Sequence, residues 1–173
     1  LCESEWSRLY ASVNEYTKGY LKSLLHLQSQ IYGDYLFDDL ISDEMVENIV
    51  CRYNVCYLGT DFPVTKESLT HAMASEVTRN ERILLLNLCG RRYNTKLYSN
   101  DKSELLKNVT ICGEADYITQ RPLIYASSRI NLHPTFRSIQ TGIPIDALHI
   151  MGAGGFLLAN YQEELTEYFV NEE

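Results

Sequence analysis

Residues 130–144 read INLHPTFRSIQTGIP, and residues 150–165 continue as IMGAGGFLLANYQEEL. These segments contain two apolar runs, Ile130–His133 and Phe156–Ala159, that are too short for helices. Neither run alternates strictly over enough residues to mark a half-exposed strand, which is typical of parallel strands covered on both faces. A helical stretch lies between the two runs. The order strand, helix, strand predicts an α/β fold with a parallel sheet.

The same rhythm begins nearer the amino end. Apolar runs at Thr95–Tyr98 and Val109–Cys112 predict two more strands, and helices are expected at about 119–128, at 144–152 and after Asn160. Asn160 and Glu163 have the spacing of a helix N-cap and its N3 partner. We therefore predict a small doubly wound parallel sheet, Rossmann-like, over residues 93–173. Four strands are few for a complete nucleotide-binding domain, so this part is expected to be truncated.

Residues 1–92 form the second part of the predicted organisation, a helical segment that precedes the sheet. Apolar side chains recur every three or four residues over Trp6–Ile31, which predicts one helix that ends at Gly33. A second helix is predicted over Met45–Tyr53, behind Ser42 as its N-cap. The stretch Gly59–Pro63 should interrupt the helical pattern.

Two more helices are expected before the sheet. The first contains the apolar positions of Leu69–Val77. Thr78 and Glu81 have capping-box spacing, in which each side chain bonds a backbone amide of the other, so a new helix is expected to begin there. That helix should run to Cys89 and end at Gly90–Asn94.

The charge of the chain limits its partners. Fifteen Lys and Arg against 23 Asp and Glu give a formal charge of −8. Binding to nucleic acid or to an anionic bilayer requires clustered basic residues, so neither partner is expected. No apolar run approaches the roughly 18 to 20 residues that span a membrane.

The amino end and the cysteines indicate a compartment. The chain starts at Leu1, without Met, and Glu3 and Glu5 follow where a signal peptide would be basic and then apolar, so we expect a segment of a longer cytoplasmic protein. The five cysteines are odd in number and scattered, which is typical of reduced thiols. Cys51 and Cys56 alone make a poor metal site, and no metal is predicted.

One loop has the features of an anion site. No acidic residue occurs from Tyr117 to Ile145, whereas Arg121, Arg129 and Arg137 lie in this stretch. Ligands of parallel sheets bind beyond the carboxyl ends of the strands. Gly142 permits close backbone approach, and Pro144 suits the start of a helix whose free amides would favour phosphate. In the alternative interpretation, Gly142 and Pro144 only make a turn and the arginines lie in water.

The glycine-rich segment Gly152–Gly155 invites comparison with a dinucleotide-binding fingerprint. It follows a predicted helix and precedes a predicted strand, which is the reverse of the order that the fingerprint requires. We interpret it as a helix C-cap that turns the chain into the last strand.

Residues 131–144 and 150–165 resemble the C-terminal half of the spore-maturation (CgeB-like) glycosyltransferases, and the likeness extends to residues 78–82 and 96–98. The resemblance implies a GT-B enzyme, in which two Rossmann-like halves face a cleft and the C-terminal half holds the nucleotide-sugar donor. It implies that this chain is the donor half, that the donor is a nucleotide diphosphate sugar, and that no metal or other cofactor is obligatory. The acceptor and the general base would belong to the other half.

The resemblance also assigns roles to residues. Amides at residues 142–145 and the side chain of Arg137 would stabilise the leaving diphosphate, Thr141 would meet the sugar, His149 would contact the ribose, and Tyr117 would flank the base. The complete candidate set for nucleotide-sugar binding is Tyr117, Asn131, His133, Arg137, Ser138, Thr141, Gly142, Ile143, Pro144 and His149.

Two positions differ from the family pattern. His149 stands where the family generally has Asp or Glu, and Asp146 stands where it usually has Arg. These differences leave two functions open. The chain is the donor-binding domain of a glycosyltransferase, or it is a non-catalytic module with the same fold that binds a nucleotide weakly or serves as a scaffold.

Overall fold

The computed structural model describes residues 5–53, 64–100 and 103–169. Within these residues the chain is α/β, with eight helices and two pairs of short parallel strands. Backbone contacts divide it into a first unit, Leu1–Arg79 with Phe136–Ser138, and a second unit, Asn80–Thr135 with Ile139–Glu173. The predicted interruption at Gly59–Pro63 lies outside the described residues.

The first unit is helical. Its elements are α1 (Glu5–Ser12), α2 (Glu15–Gln30), α3 (Phe37–Leu40), α4 (Asp43–Tyr53) and the amino-terminal part of α5 (Lys66–Arg92). The division between the units at Arg79 falls inside α5, whereas the sequence boundary at residue 92 coincides with the end of that helix. The buried core of this unit consists of Trp6, Leu9, Val13, Leu21, Leu24, Phe37, Ile41, Val46, Ile49, Val64, Leu69, Met73, Ala74 and Val77.

The predicted single helix over Trp6–Ile31 is wrong, because the chain breaks between α1 and α2. Asn14 has an extended backbone (φ −73°, ψ 168°) and its side chain accepts the amide of Thr17 at 2.9 Å, so it caps a new helix. Apolar residues on both sides of the break enter the same core. The regular spacing of the apolar residues therefore arises because α1 and α2 bury their apolar faces in the same core. It does not require one continuous helix.

The predicted helix start at Thr78 is also wrong, because α5 is continuous from Lys66 to Arg92. The Thr78 hydroxyl donates to the carbonyl of Ala74 at 2.8 Å, one turn earlier, and accepts the backbone amide of Arg137 at 3.0 Å. The predicted cap of α4 is confirmed, since Ser42 Oγ accepts the amide of Met45 at 3.2 Å.

The second unit contains all four predicted strands in shorter form. Strand β1 (Lys96–Leu97) pairs in parallel with β2 (Thr110–Ile111), and β3 (Asn131–His133) pairs in parallel with β4 (Leu157–Ala159). In the register of the second pair, Asn131 faces Leu157 and His133 faces Ala159. The described strands form two separate two-stranded sheets. The predicted parallel pairing is confirmed, whereas a single doubly wound sheet of four strands stays a prediction.

Three helices complete the second unit: α6 (Arg121–Ser127), α7 (Ile145–Gly152) and α8 (Glu163–Tyr168). The predicted C-cap of α7 is confirmed, because Gly154 has φ 76° and the amides of Gly154 and Gly155 donate to the carbonyls of Met151 and Ile150. This pair of hydrogen bonds is the Schellman motif.

The predicted cap of α8 is wrong. The helix begins behind Gln162, and Asn160 Oδ1 instead accepts the backbone amide of Thr135 at 2.6 Å. That bond joins the loops that follow β3 and β4. In the part of the chain that the structure describes, no helix has the length and apolar character needed to cross a membrane.

Candidate functional site

Two basic side chains, those of His133 and Arg82, lie at the carboxyl end of β3, where ligands of parallel sheets bind. His133 is the last residue of β3 and is half-buried. Burial lowers the pKa of His133 below its ordinary value, the nearby Asp146 carboxylate opposes this shift, and the nearby Arg82 guanidinium adds to it. The imidazole is therefore biased towards its neutral form, in which one ring nitrogen donates and the other accepts.

Asp146 is the charged neighbour of two predicted site residues, His133 and His149. It lies in the first turn of α7, and its Oδ1 is 4.0 Å from Nδ1 of His149 one turn later. The Tyr117 hydroxyl lies 2.9 Å from Nδ1 and 3.2 Å from Nε2 of the same ring. We call Arg82, Tyr117, His133, Asp146 and His149 the β3 cluster. Within it, Tyr117 and His149 are in direct contact, whereas His133 is related to them only through the Asp146 charge.

The aromatic side of the β3 cluster is further ordered. The rings of Tyr117 and His149 meet edge to face with centroids 5.1 Å apart. The guanidinium carbon of Arg121 lies 5.1 Å from the centroid of the Tyr117 ring, a cation–π contact. About half of Tyr117 is exposed, so a planar ligand could reach this ring from solvent.

Arg82 fixes the loop that leaves β3. Its Nε and Nη2 both donate to the carbonyl of Pro134, at 3.3 Å and 3.0 Å. Partial burial lowers the pKa of Arg82, and Asp146 opposes the change. An arginine, a neutral histidine and a tyrosine hydroxyl offer donors to an anionic or hydroxylated ligand, while Asp146 supplies an opposing charge.

The predicted phosphate loop has the expected backbone and one unexpected partner. Gly142 has φ 89°, a left-handed conformation that glycine tolerates, and Pro144 is the N-cap of α7. The amide of Gly142 donates to Oε1 of Glu164 at 2.9 Å. Thr141 is exposed and Ile143 is half-buried. A carboxylate from α8 therefore already bonds one of the amides expected to receive phosphate.

The structure assigns Arg137 and Ser138 to the first unit. The guanidinium carbon of Arg137 lies 3.8 Å from the centroid of the Tyr32 ring, and Nη1 donates to the carbonyl of Ile31 at 3.3 Å. Ser138 lines a cavity of that unit. Arg137 thus makes its contacts inside the helical unit, and Ser138 borders a cavity of the same unit.

Asn131 has a structural place at the amino end of β3. It is 8% exposed, and its Nδ2 donates to the carbonyls of Tyr125 at 3.0 Å and Phe156 at 3.3 Å. These bonds tie the end of α6 to the start of the β3–β4 pair. Asn131 is therefore engaged at the opposite end of the strand from His133.

Sequence reasoning did not place Arg82 and Glu164 in the site, and it named Arg121 only as one of three arginines in the acid-free stretch. Arg82 carried a signal, because it lies in the 78–82 segment of the resemblance; no local spacing marked Glu164, whose partner is 22 residues away. Among the described residues, no group of three His, Cys, Asp or Glu side chains could hold a metal ion. No family model, curated protein or solved structure matches this chain.

The lowered pKa of His133 predicts a pH-dependent stability. The unfolded chain binds a proton near pH 6.5, whereas the folded chain resists it, so the free energy of unfolding should fall as pH decreases below that value. We expect His133→Asn to flatten this dependence between pH 7.5 and 5.5, measured by urea denaturation at each pH. His26→Asn, at an exposed position on α2, is the matched control. Equal slopes for wild type and His133→Asn would contradict the assignment.

Proposed function

We propose that the second unit is the donor-binding part of a glycosyltransferase, in a Rossmann-like half-fold, and that it takes a nucleotide diphosphate sugar as donor. The observation that supports this most is the position of His133 at the carboxyl end of a parallel strand, near the Asp146 carboxylate and near Arg82, which bonds the Pro134 carbonyl. This is the edge at which open α/β sheets bind nucleotides. The sequence resemblance over residues 131–165 supports the same proposal.

The proposal gives each group a task. Arg82 and His133 donate to the diphosphate, together with amides at the start of α7. Thr141 meets the sugar, and the Tyr117–His149 pair contacts the base and the ribose. The Tyr117 ring contacts the Arg121 guanidinium and the His149 ring but is still about half exposed, so the proposal places the planar base against its exposed part.

The chemistry that such a site must perform is stabilisation of a leaving group. When the bond between the sugar and the diphosphate breaks, negative charge develops on the phosphate oxygens. Preorganised donors aimed at that charge lower the barrier. Arg82 is held in place by two bonds to the Pro134 carbonyl, so little reorganisation is needed. The acceptor is unidentified, and its general base belongs to another part of the enzyme.

One observation favours a second candidate, a non-catalytic module of the same fold. The Glu164 carboxylate accepts a hydrogen bond from the Gly142 amide, and the Asp146 carboxylate lies in the β3 cluster. Each places a negative charge where the proposal puts a diphosphate. A module that binds nucleotide weakly, or serves as a scaffold, tolerates both carboxylates.

The proposed function is tested by calorimetry with a nucleoside diphosphate and its parent nucleoside, chosen from a thermal-shift panel of uridine and guanosine compounds. We expect the diphosphate to bind more tightly. Arg82→Gln should weaken the diphosphate about tenfold or more and the nucleoside little, because a charge-assisted bond contributes roughly 1.5 to 3 kcal/mol. Arg91→Gln, at an exposed position on the same helix, is the control. Equal affinities for diphosphate and nucleoside would contradict the proposal that this site binds the diphosphate group.

A double substitution separates the two candidates. Asp146→Arg with His149→Asp restores the side chains that the resembled family has at these positions. If the chain is a donor-binding domain altered at these two positions, the double variant should bind the best nucleotide of the panel at least tenfold more tightly than wild type. Circular dichroism checks that the variant is folded. If its affinity is then unchanged, the result favours the non-catalytic module.

A further inference from the structure

One contact of α8 competes with the proposed ligand. Glu164 lies in the first turn of α8, and its Oε1 accepts the amide of Gly142 at 2.9 Å. Gly142 lies 22 residues earlier, in the loop between β3 and α7. Its amide is one of those assigned above to the donor diphosphate. We call the arrangement in which Glu164 holds this amide the closed state.

The closed state excludes a phosphate from the Gly142 amide for two reasons. A backbone amide has one hydrogen to donate, so the carboxylate and a phosphate oxygen compete for the same bond. Both groups are also anionic, and two anions held beside one amide repel each other. A diphosphate therefore reaches this amide only after the Glu164 carboxylate has left it.

The closed state leaves polar groups unsatisfied. Three buried oxygen atoms in the loops after β3 and β4 and in the first turn of α8 have no hydrogen-bond partner in the part of the chain that the structure describes. They are Oγ1 of Thr135, Oε1 of Gln162 and Oε2 of Glu164. Thr135 is 3% exposed and Gln162 is 8% exposed. A buried polar atom without a partner destabilises the state that contains it. Movement of α8 would return these oxygen atoms to water, so it is favoured by their hydration.

The helix that carries Glu164 is weakly anchored. It has six residues, Glu163–Tyr168, and none of these residues is fully buried. So short a helix has little stability of its own, and segments with few buried apolar contacts open at a low free energy. The preceding loop is held at Asn160, whose Oδ1 accepts the amide of Thr135 at 2.6 Å. The chain can therefore open after Asn160 while the end of β4 stays in place.

We propose that Glu164 is an autoinhibitory latch, whose carboxylate holds the Gly142 amide in the free protein and is displaced by the donor diphosphate when α8 moves away. This inference rests on the proposed function, because it concerns an amide of the proposed diphosphate site. Since only the open state binds the diphosphate at this amide, the population of the closed state lowers the apparent affinity.

The test is calorimetry of wild type, Glu164→Gln and Glu164→Ala with uridine diphosphate, guanosine diphosphate and the two parent nucleosides. Glutamine removes the charge and keeps an acceptor for the Gly142 amide, whereas alanine removes both. We expect each variant to bind the better diphosphate at least fivefold more tightly than wild type, with unchanged affinity for the nucleosides. The matched control is Glu163→Gln, an exposed acid one residue earlier, which should bind as wild type does.

The contact itself has a readout that needs no nucleotide. Hydrogen exchange of the Gly142 amide, followed by NMR, should be at least fivefold faster in Glu164→Ala than in wild type or in Glu163→Gln. Equal exchange rates in the three proteins would overturn the latch, because Glu164 would then not hold this amide in solution.

The binding outcomes separate the latch from the proposed function. If wild type binds a diphosphate more tightly than its nucleoside and the Glu164 variants bind it no better, the latch is overturned and the proposed function stands. If Glu163→Gln tightens the diphosphate as much as Glu164→Gln, the gain comes from net charge and the latch is again overturned. If neither diphosphate binds to any of the proteins, the proposed function fails and the latch fails with it. Circular dichroism confirms that each variant retains its helices.

Discussion

Gly155→Ala should destabilise the second unit by about 3 kcal/mol, because a methyl group at this position has no space. An ideal Cβ would lie 2.6 Å from the carbonyl oxygen of Tyr125, 2.7 Å from Nδ2 of Asn131 and 3.1 Å from the carbonyl oxygen of Ile150. Two of these three atoms are backbone atoms, and Asn131 is itself held by two hydrogen bonds. The neighbours therefore cannot move aside without breaking the contacts that join α6, α7 and β3.

Gly152→Ala is the matched control, three residues earlier in the same glycine-rich segment. A Cβ at Gly152 meets nothing within 4 Å, and the position is the last of α7. Alanine is favoured over glycine in a helix by about 0.5 to 1 kcal/mol, so this variant should be neutral or more stable. Urea denaturation of both variants followed by circular dichroism gives the comparison. Equal stability of the two would show that the close approach at Gly155 is absent in solution.

These two glycines also separate two interpretations of the sequence. In a dinucleotide fingerprint the glycines admit a ligand, so alanine at Gly155 would act mainly on nucleotide affinity. In the C-cap that the structure shows, the glycines serve the backbone, so alanine acts on folding. The local order of helix and strand was sufficient to choose the C-cap, because all partners of the motif lie within five residues of one another.

Structural features that depend on residues far away in the sequence could not be predicted from local spacing. The four strands were predicted because their apolar runs are local, yet their pairing partners lie 14 to 26 residues away. Thr78 has a capping-box neighbour in Glu81, but its hydroxyl instead bonds the amide of Arg137, 59 residues later. A local spacing states what a side chain can do, and the tertiary partner decides what it does.

The candidate site shows the same division. Tyr117 and His149 were assigned to one site by the family resemblance, and in the structure the Tyr117 hydroxyl lies 2.9 Å from Nδ1 of His149. Arg137 was predicted at the same site because it lies in an acid-free loop. Its guanidinium instead contacts the Tyr32 ring and the carbonyl of Ile31, and Ile31 is 106 residues away in the chain. A loop sequence does not reveal that residues 136–138 belong to the helical unit.

Gln28→Leu is expected to have a comparably large effect on the first unit. Gln28 is 1% exposed and fully engaged in the turn after α2: Nε2 donates to the carbonyls of Asp34 at 2.9 Å and Ile31 at 3.4 Å, and Oε1 accepts the amide of Leu36 at 2.8 Å. Leucine has nearly the same size but cannot pair any of these backbone groups. Each backbone group left unpaired and buried costs about 1 to 3 kcal/mol, so we expect a loss of about 3 kcal/mol in the free energy of unfolding.

Gln30→Leu provides the control for Gln28→Leu, because it makes the same chemical change at an exposed position two residues later on α2. Its effect should stay within about 0.5 kcal/mol, as for most surface substitutions. The Gln28 bonds hold the segment that leads to Phe37, which is fully buried in the core of the first unit. If Gln28→Leu unfolds at the same urea concentration as Gln30→Leu, the glutamine does not organise this turn.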